Sequence, residues 1–342
     1  MLEVIDEIKI LNDIKFELEG VYNKHVGWSF NSPTFFLTAY KEFQFESDKT
    51  HLFFIIMREN NKIVSYIPLY IDQKKTLRFI FDEHTDFCGV IGEKPAFNFF
   101  KDLSKVILNE SKINKISLDN LLPDDSLLNY LKNFLGVGTA ISCYNNHSFI
   151  HSDLKIGYYS KLKSRQRSEL LRVSKINKAY GFKVFDSPNN FPFEEIVALR
   201  NKMISNGWRD KSFFNDKFIK FCHKLYDSKE LVLITNWQQN KIVSIVFVFK
   251  NVEQKLYTFW LTLYDADIKY INLTTYVDFI SSLEKKDEYY FSFGRGDYSF
   301  KSTFCPNVQN LYNLRYSKSK FDFLFTNYYL LKYFLKRIIK KL

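Results

Sequence analysis

Short apolar runs separated by polar turns recur along the chain in two similar series. In the first, His51–Met57 and Tyr66–Tyr70 flank a polar turn, and Leu77–Phe81 follows. A helical pattern over Ala96–Ser111 and a buried-type strand at Lys115–Leu118 complete it. In the second, Leu231–Thr235 and Ile245–Phe249 flank the turn. Leu256–Leu263, a helix over Leu273–Lys285 and Tyr289–Phe293 then keep the same order. The pentapeptide Asn-Lys-Ile-Val-Ser stands in both turns, at Asn61–Ser65 and Asn240–Ser244. β-branched and aromatic residues on both sides of an Asn-containing turn predict a hairpin. Each half therefore reads strand, strand, strand, helix, strand. Two long copies are too few and too large for a solenoid, so the chain reads as a duplicated mixed α/β unit.

A different segment separates the halves. Ser160–Gly181 has a helical pattern, with Ser160 as candidate N-cap and Gly181 as the stop. It carries Lys161, Lys163, Arg165, Arg167, Arg172, Lys175 and Lys178 against the single acid Glu169, while Leu162, Leu170, Val173, Ile176 and Tyr180 supply a packing stripe. Phe193–Asn206 predicts another helix, ending at Gly207-Trp208, and the basic, aromatic Phe321–Leu342 predicts a last one. The expected division is 1–155, 156–320 and 321–342, with no flexible linker and the halves packed together.

Composition narrows this little. A chain of 342 residues with 46% hydrophobic and 25% charged residues fits two ordinary domains with a sizeable core. The 36 Phe read as core filling rather than as a signal. A net charge of +11 points to an anionic partner, against the plainer reading of scattered surface lysines. Cys88, Cys143, Cys222 and Cys305 are far apart and read as separate thiols of a reducing compartment. Without a leader pattern or an apolar run of membrane length, the expectation is a cytoplasmic protein, or one peripheral at the inner face of the membrane.

Four features carry a family resemblance. Trp28 is followed by Phe30-Asn-Ser-Pro-Thr-Phe-Phe36, Thr85-Asp86-Phe87 follows the first hairpin, and an Arg-rich helix lies between the halves. Most specific is Phe291-Ser-Phe-Gly-Arg-Gly-Asp-Tyr-Ser-Phe-Lys301 at the end of the last strand. Over nearly the whole chain this resembles the double-acetyltransferase-fold proteins. These include the FemAB-type peptidoglycan aminoacyltransferases and the BioF2-like or CelD-like acetyltransferases of polysaccharide clusters. The resemblance implies two tandem GNAT-like halves and acyl transfer. One element departs from it: family members often carry a Pro-Gly step before the second-half helix, where the chain meets a cofactor phosphate. Here Lys269-Tyr-Ile-Asn-Leu273 has no glycine.

Acyl transfer needs a deprotonated nucleophile, a polarised carbonyl and a protonated leaving group. Asp297 is the candidate to take or orient a proton and Tyr298 to protonate the leaving group. Arg295 and Lys301 are candidates to hold an anion, between the sharp turns that Gly294 and Gly296 allow. The plainer reading is a charged turn with Asp297 capping a helix. Asp86, Trp208, Arg165, Arg167 and Arg172 are further substrate-binding candidates. Their plain alternatives are a solvated turn, a core-covering indole and a solvated cationic face.

His147 and His151 lie in a strand-like stretch without a third ligand, so no metal is expected. There is no P-loop and no nucleophile elbow. The leading expectation is transfer from acyl-CoA, acetyl-CoA first, to an amino sugar, sugar nucleotide or glycan precursor. The alternatives are a FemAB-type enzyme drawing on aminoacyl-tRNA, and a non-catalytic protein whose C-terminal helix binds an anionic membrane or polymer.

Overall fold

The computed structural model describes residues 1–24, 29–44, 50–135, 139–152, 157–283, 288–296 and 298–319. The expected helix at 321–342 lies outside them. Two compact units emerge. Unit 1 is Met1–Asn145 with the chain from Asn310 onward, and unit 2 is Asn146–Gln309. No helix among the described residues is long and apolar enough to cross a membrane.

Unit 1 begins with β1 (Leu2–Ile5), α1 (Ile8–Asp13), α2 (Lys15–Lys24) and α3 (Pro33–Ala39). Strands β2 (His51–Leu52), β3 (Phe54–Glu59), β4 (Lys62–Ile67), β5 (Leu69–Ile71), β6 (Thr76–Phe79) and β7 (Ile91–Gly92) follow. Then come α4 (Phe97–Asn109), β8 (Lys115–Leu121) and α5 (Lys132–Leu135). The strand β9 (Thr139–Ser152) leads into unit 2, followed by α6 (Ser164–Ile176), β10 (Gly181–Phe185), α7 (Phe193–Ser205) and α8 (Asp216–Asp227). Next are β11 (Leu231–Gln238), β12 (Lys241–Asn251), β13 (Leu256–Tyr264), α9 (Ile271–Leu283), β14 (Tyr289–Arg295) and α10 (Lys301–Phe304). The last strand, β15 (Asn307–Ser317), carries the chain back to unit 1.

One sheet is antiparallel and the others are mixed. Unit 1 has the order β1-β3-β4-β7 in one sheet and β15-β8-β6-β5-β2 in another, and unit 2 has β10-β11-β12-β13-β14-β9. Neighbours run antiparallel except β6 with β8 and β13 with β14. Each unit's strand beside its parallel pair thus comes from elsewhere in the chain: β15 pairs with β8, and β9 with β14.

The repeated pentapeptide makes the same backbone twice. Asn60 and Asn61 have φ of 50° and 62°, and Gln239 and Asn240 have 47° and 64°. A two-residue hairpin turn with both residues left-handed is the type that matches strand twist, and Asn tolerates it best after Gly. Both hairpins carry a bulge at the same place. Ser65 faces Met57 while Ile63 faces Arg58, and Ser244 faces Asn236 while Ile242 faces Trp237. Val64 and Val243 are the extra residues. Their carbonyls accept the amides of Glu93 and Asp265 at 2.9 and 2.8 Å.

The third strand differs between units. In unit 2, β13 is continuous, with Phe259 on Val248 and Tyr264 on Ser244. In unit 1 the matching partners are Phe79 on Leu69 and Gly92 on Ser65, thirteen residues apart instead of five. Eight extra residues loop out within Ile80–Val90 and split the strand into β6 and β7.

The basic helix is shorter than its pattern predicts. It starts at Ser164, where the Gln166 amide oxygen takes the Lys163 N–H at 2.8 Å, and ends at Ile176. Ser160 belongs to a separate short turn, and Gly181 opens β10 rather than stopping the helix. Leu162, Leu170 and Val173 are buried as expected, but Ile176 is exposed.

Candidate functional site

The parallel strands β13 and β14 pair only at Leu256–Tyr290, Tyr257–Phe291 and Thr258–Ser292. Beyond that point β13 follows β12 through a bulge at Trp260, where Val248 faces Phe259 and Phe247 faces Leu261, and β14 follows β9. The crevice beyond the carboxyl ends of parted parallel strands is the usual ligand position in an α/β sheet. Aromatic rings pack together beside its inner end. Phe259 and Phe293 lie with ring centroids 4.8 Å apart, Phe304 is 5.1 Å from Phe293, and Tyr276 of α9 is 5.8 Å from Phe293 and 5.5 Å from Phe304. All four are buried. The Tyr276 hydroxyl bonds to Thr262 Oγ1 at 2.6 Å. Burial pushes its pKa up to about 12, although the Thr262 bond works the other way.

The chain turns sharply after β14. Gly294 and Gly296 have φ of 66° and 101°, and a Cβ on Gly296 would sit 2.8 Å from the Tyr298 ring. Two glycines are therefore what the turn requires. Tyr298 is 63% exposed. Lys301 is only 5% exposed, and its Nζ donates to the Arg295 carbonyl at 2.5 Å and stands 5.2 Å from the Tyr298 ring centroid. α10 is held from below, because Tyr158 Oη donates to the Phe304 carbonyl at 2.6 Å and Gln166 Nε2 to the Ser302 carbonyl at 2.5 Å. Burial raises the Cys305 thiol to about 12, against the opposing effects of Ser148 and the Lys301 charge. Asp297 lies outside the described residues.

At the head of α9, Tyr270 has φ of 63°, a left-handed position for a bulky side chain. The turn expected to need glycine is thus made without one. The Asn177 amide fixes it, donating to the Lys269 carbonyl at 3.0 Å and to Thr274 Oγ1 at 2.7 Å. Arg172 lies 4.6 Å and the Lys269 ammonium 5.1 Å from the Tyr270 ring centroid. Arg172 also makes a two-bond pair with Glu169 at 2.8 and 2.5 Å, which holds the guanidinium charged. Arg165 and Arg167 are exposed on the same helix, and Arg167 donates to the Leu162 carbonyl at 3.4 Å.

Trp208 is exposed beyond the end of α7 and meets Tyr264, the last residue of β13, edge-on at 6.0 Å. It therefore lies at the same end of the parallel pair as Tyr298. Arg209 stands over Phe213, and Asp210 accepts from Ser212, so both serve the local turn. Asp86 is buried within the extra segment of unit 1. That segment is pinned to β8, with the Cys88 amide on the Asn120 carbonyl and Asn120 Nδ2 on the Thr85 carbonyl, both at 3.2 Å. Nearby, burial raises Asp82 to about 6 despite its 3.0 Å bond from Arg78.

Of the residues singled out from sequence, the structure gathers Arg295, Tyr298 and Lys301 into one turn, sets Trp208 at the same sheet end, and places Arg172 at the head of α9. Asp86 belongs to the other unit. Tyr270, Thr262 and Tyr276 carry no motif that would have marked them. Among the described residues no group of three or more His, Cys, Asp or Glu side chains is placed to hold a metal ion.

No protein-family model matches the chain, and no curated protein matches its sequence. Solved structures do match its fold. The C-terminal domain (DUF2156) of a protein assigned as a lysylphosphatidylglycerol synthetase from Agrobacterium fabrum is 14% identical with a TM-score of 0.61, over 92% of this chain and 95% of that one. L-PGS from Bacillus licheniformis is 13% identical with a TM-score of 0.59, over 89% and 92%. FemX is 12% identical with a TM-score of 0.59, over 88% and 95%. At such identity the likeness is one of fold: two tandem GNAT-like units built on mixed α/β sheets.

Proposed function

We propose that the protein is an aminoacyl- or acyltransferase whose donor is an aminoacyl-tRNA, with transfer at the turn after β14. The observation that carries the donor is the aromatic packing beside the parting strands. Phe259, Tyr276, Phe293 and Phe304 pack on one another next to the divergence of β13 and β14, which narrows the room for an extended acyl-CoA. Tyr270 stands where a backbone would approach a pyrophosphate. The exposed Arg165, Arg167 and Arg172 suit the separated phosphates of a nucleic acid instead. One of the proteins sharing the fold carries in its assigned name the joining of a lysyl group to phosphatidylglycerol.

In this reading the acceptor nitrogen or oxygen attacks the ester carbonyl carbon, the new bond to that carbon forms, and the bond from that carbon to the ribose oxygen breaks. Asp297 takes the acceptor's proton, and Tyr298 gives one to the leaving ribose oxygen. Arg295 faces the anionic part of the substrate. Lys301, buried on the Arg295 carbonyl, holds the turn that presents Tyr298.

A second reading keeps acetyl-CoA as donor and an amino sugar or glycan precursor as acceptor, as in BioF2-like and CelD-like acetyltransferases. Its support is the parting of β13 and β14 just ahead of the α9 terminus.

Transfer of radiolabel from aminoacyl-tRNA to glucosamine, to amino-sugar nucleotides and to phosphatidylglycerol vesicles tests the first reading. It expects label on one acceptor and binding of charged tRNA that weakens steeply with salt. Thermal stabilisation and turnover with acetyl-CoA, and none with charged tRNA, would overturn it in favour of the second.

A further inference from the structure

The basic helix α6 is tied at both ends to other segments of unit 2. At its C-terminal end Asn177, which is buried, donates to the Lys269 carbonyl at 3.0 Å and to Thr274 Oγ1 at 2.7 Å. Both acceptors belong to the head of α9. At its N-terminal end Gln166 Nε2 donates to the Ser302 carbonyl of α10 at 2.5 Å. The two ties lie about 16 Å apart along the helix, at about 1.5 Å per residue.

From Gln166 a short path of bonds leads to Tyr298. Helix α10 has four residues, too few to satisfy its own last carbonyls. Two of these take donors from outside: Phe304 from Tyr158 Oη, and Ser302 from Gln166. Ser302 Oγ then donates to the carbonyl of Ser299, the residue after Tyr298, at 2.7 Å. The Lys301 amide donates to the Tyr298 carbonyl at 2.9 Å.

The two atoms of the Gln166 amide do separate work. Its Oε1 accepts the Lys163 N–H at 2.8 Å, which caps α6. Capping needs only that oxygen. The bond from Nε2 leaves α6 altogether, and fixes α10 against the helix on which Arg165, Arg167 and Arg172 stand exposed.

We propose that Gln166 is a positioning residue for transfer, aligning Tyr298 with a donor held on α6. This rests on the transferase reading, in which the arginines bind the donor and Tyr298 protonates the leaving oxygen. Alignment matters there because a displacement of about 1 Å can cost about 10²-fold in rate.

Two variants isolate the bond. Gln166→Glu keeps the capping oxygen but its carboxylate cannot donate to Ser302, and it adds a charge beside the arginines. Gln166→Met adds no charge but loses the cap as well. Their one shared defect is the missing donor. Turnover with radiolabelled aminoacyl-tRNA, read at saturating donor so that affinity drops out, should fall at least about tenfold in both. The melting temperature should fall only in Gln166→Met, and donor affinity only in Gln166→Glu. Hydrogen exchange at the Lys301, Thr303 and Cys305 amides should quicken at least about threefold in both. Wild-type turnover in either variant, or unchanged exchange in both, would overturn the proposal. A wild-type protein that transfers nothing from aminoacyl-tRNA sinks the transferase reading instead, with exchange still reporting whether Gln166 orders the turn.

Discussion

Phe259 and Phe293 stand 4.8 Å apart on the first residues past the last paired positions of β13 and β14, so buried rings meet where the strands part. Phe293→Ala should therefore cost about 3–5 kcal/mol, as removal of a buried ring does. Urea unfolding measures it. A loss below about 1 kcal/mol would mean that the ring borders an open channel and that the crevice can admit a long donor.

Tyr298 is exposed and touches the fold mainly through its own turn, so its hydroxyl is free to serve chemistry without serving stability. Tyr298→Phe should lower turnover by at least about tenfold at an unchanged melting temperature, and Asp297→Asn should do the same. Full activity in both variants would remove this turn from the mechanism.

Lys301 behaves in the opposite way. Its ammonium is buried on the Arg295 carbonyl, so Lys301→Met should lower stability by about 1–3 kcal/mol through the loss of that charged hydrogen bond. Turnover should fall as the turn loosens. A variant as stable as wild type but unable to bind substrate would return Lys301 to the substrate site.

Tyr270 separates backbone strain from ring contacts. Tyr270→Gly and Tyr270→Ala both lose the stack with Arg172 and Lys269, but only the alanine keeps a Cβ at φ of 63°. Alanine should be the less stable of the two by about 1 kcal/mol, read from denaturant midpoints. Equal midpoints would show that the left-handed conformation is not retained.

How far the sequence reveals all this depends on how local each cause is. The hairpins are legible because a two-residue left-handed turn needs Asn-type residues, and Asn61 and Asn240 sit inside the repeat. The turn after β14 is legible because Gly294 and Gly296 have to be glycine there. The split of the third strand is not legible. Leu77–Phe81 reads as a strand whether or not the chain rejoins Ser65 thirteen residues past Phe79, and only pairing decides that. The ends of α6 are not legible, because Asn177 and Gln166 act through partners, and those of Asn177, at Lys269 and Thr274, are remote in sequence. Asp125 follows Pro123 and Asp124 and reads as one more turn carboxylate until Val90 and Leu127 are seen to hold it.

That position gives the last prediction. Burial is the largest influence on Asp125 and raises its carboxyl from the usual 3.8 to about 7, outweighing the two amides that favour the charged form. The folded state thus holds a proton that the unfolded chain has released between about pH 4 and pH 7. Where the native state binds more protons than the unfolded one, stability falls as pH rises. Asp82, raised to about 6, acts in the same direction over a narrower window. The contribution is fully present below about pH 4 and lost as pH climbs through 7. Urea midpoints at pH 5 and pH 8 should show the wild type weaker at pH 8, and Asp125→Asn, which cannot ionise, should flatten most of that slope. A stability slope unchanged by Asp125→Asn would mean that the carboxylate reaches water and titrates as it does in the unfolded chain.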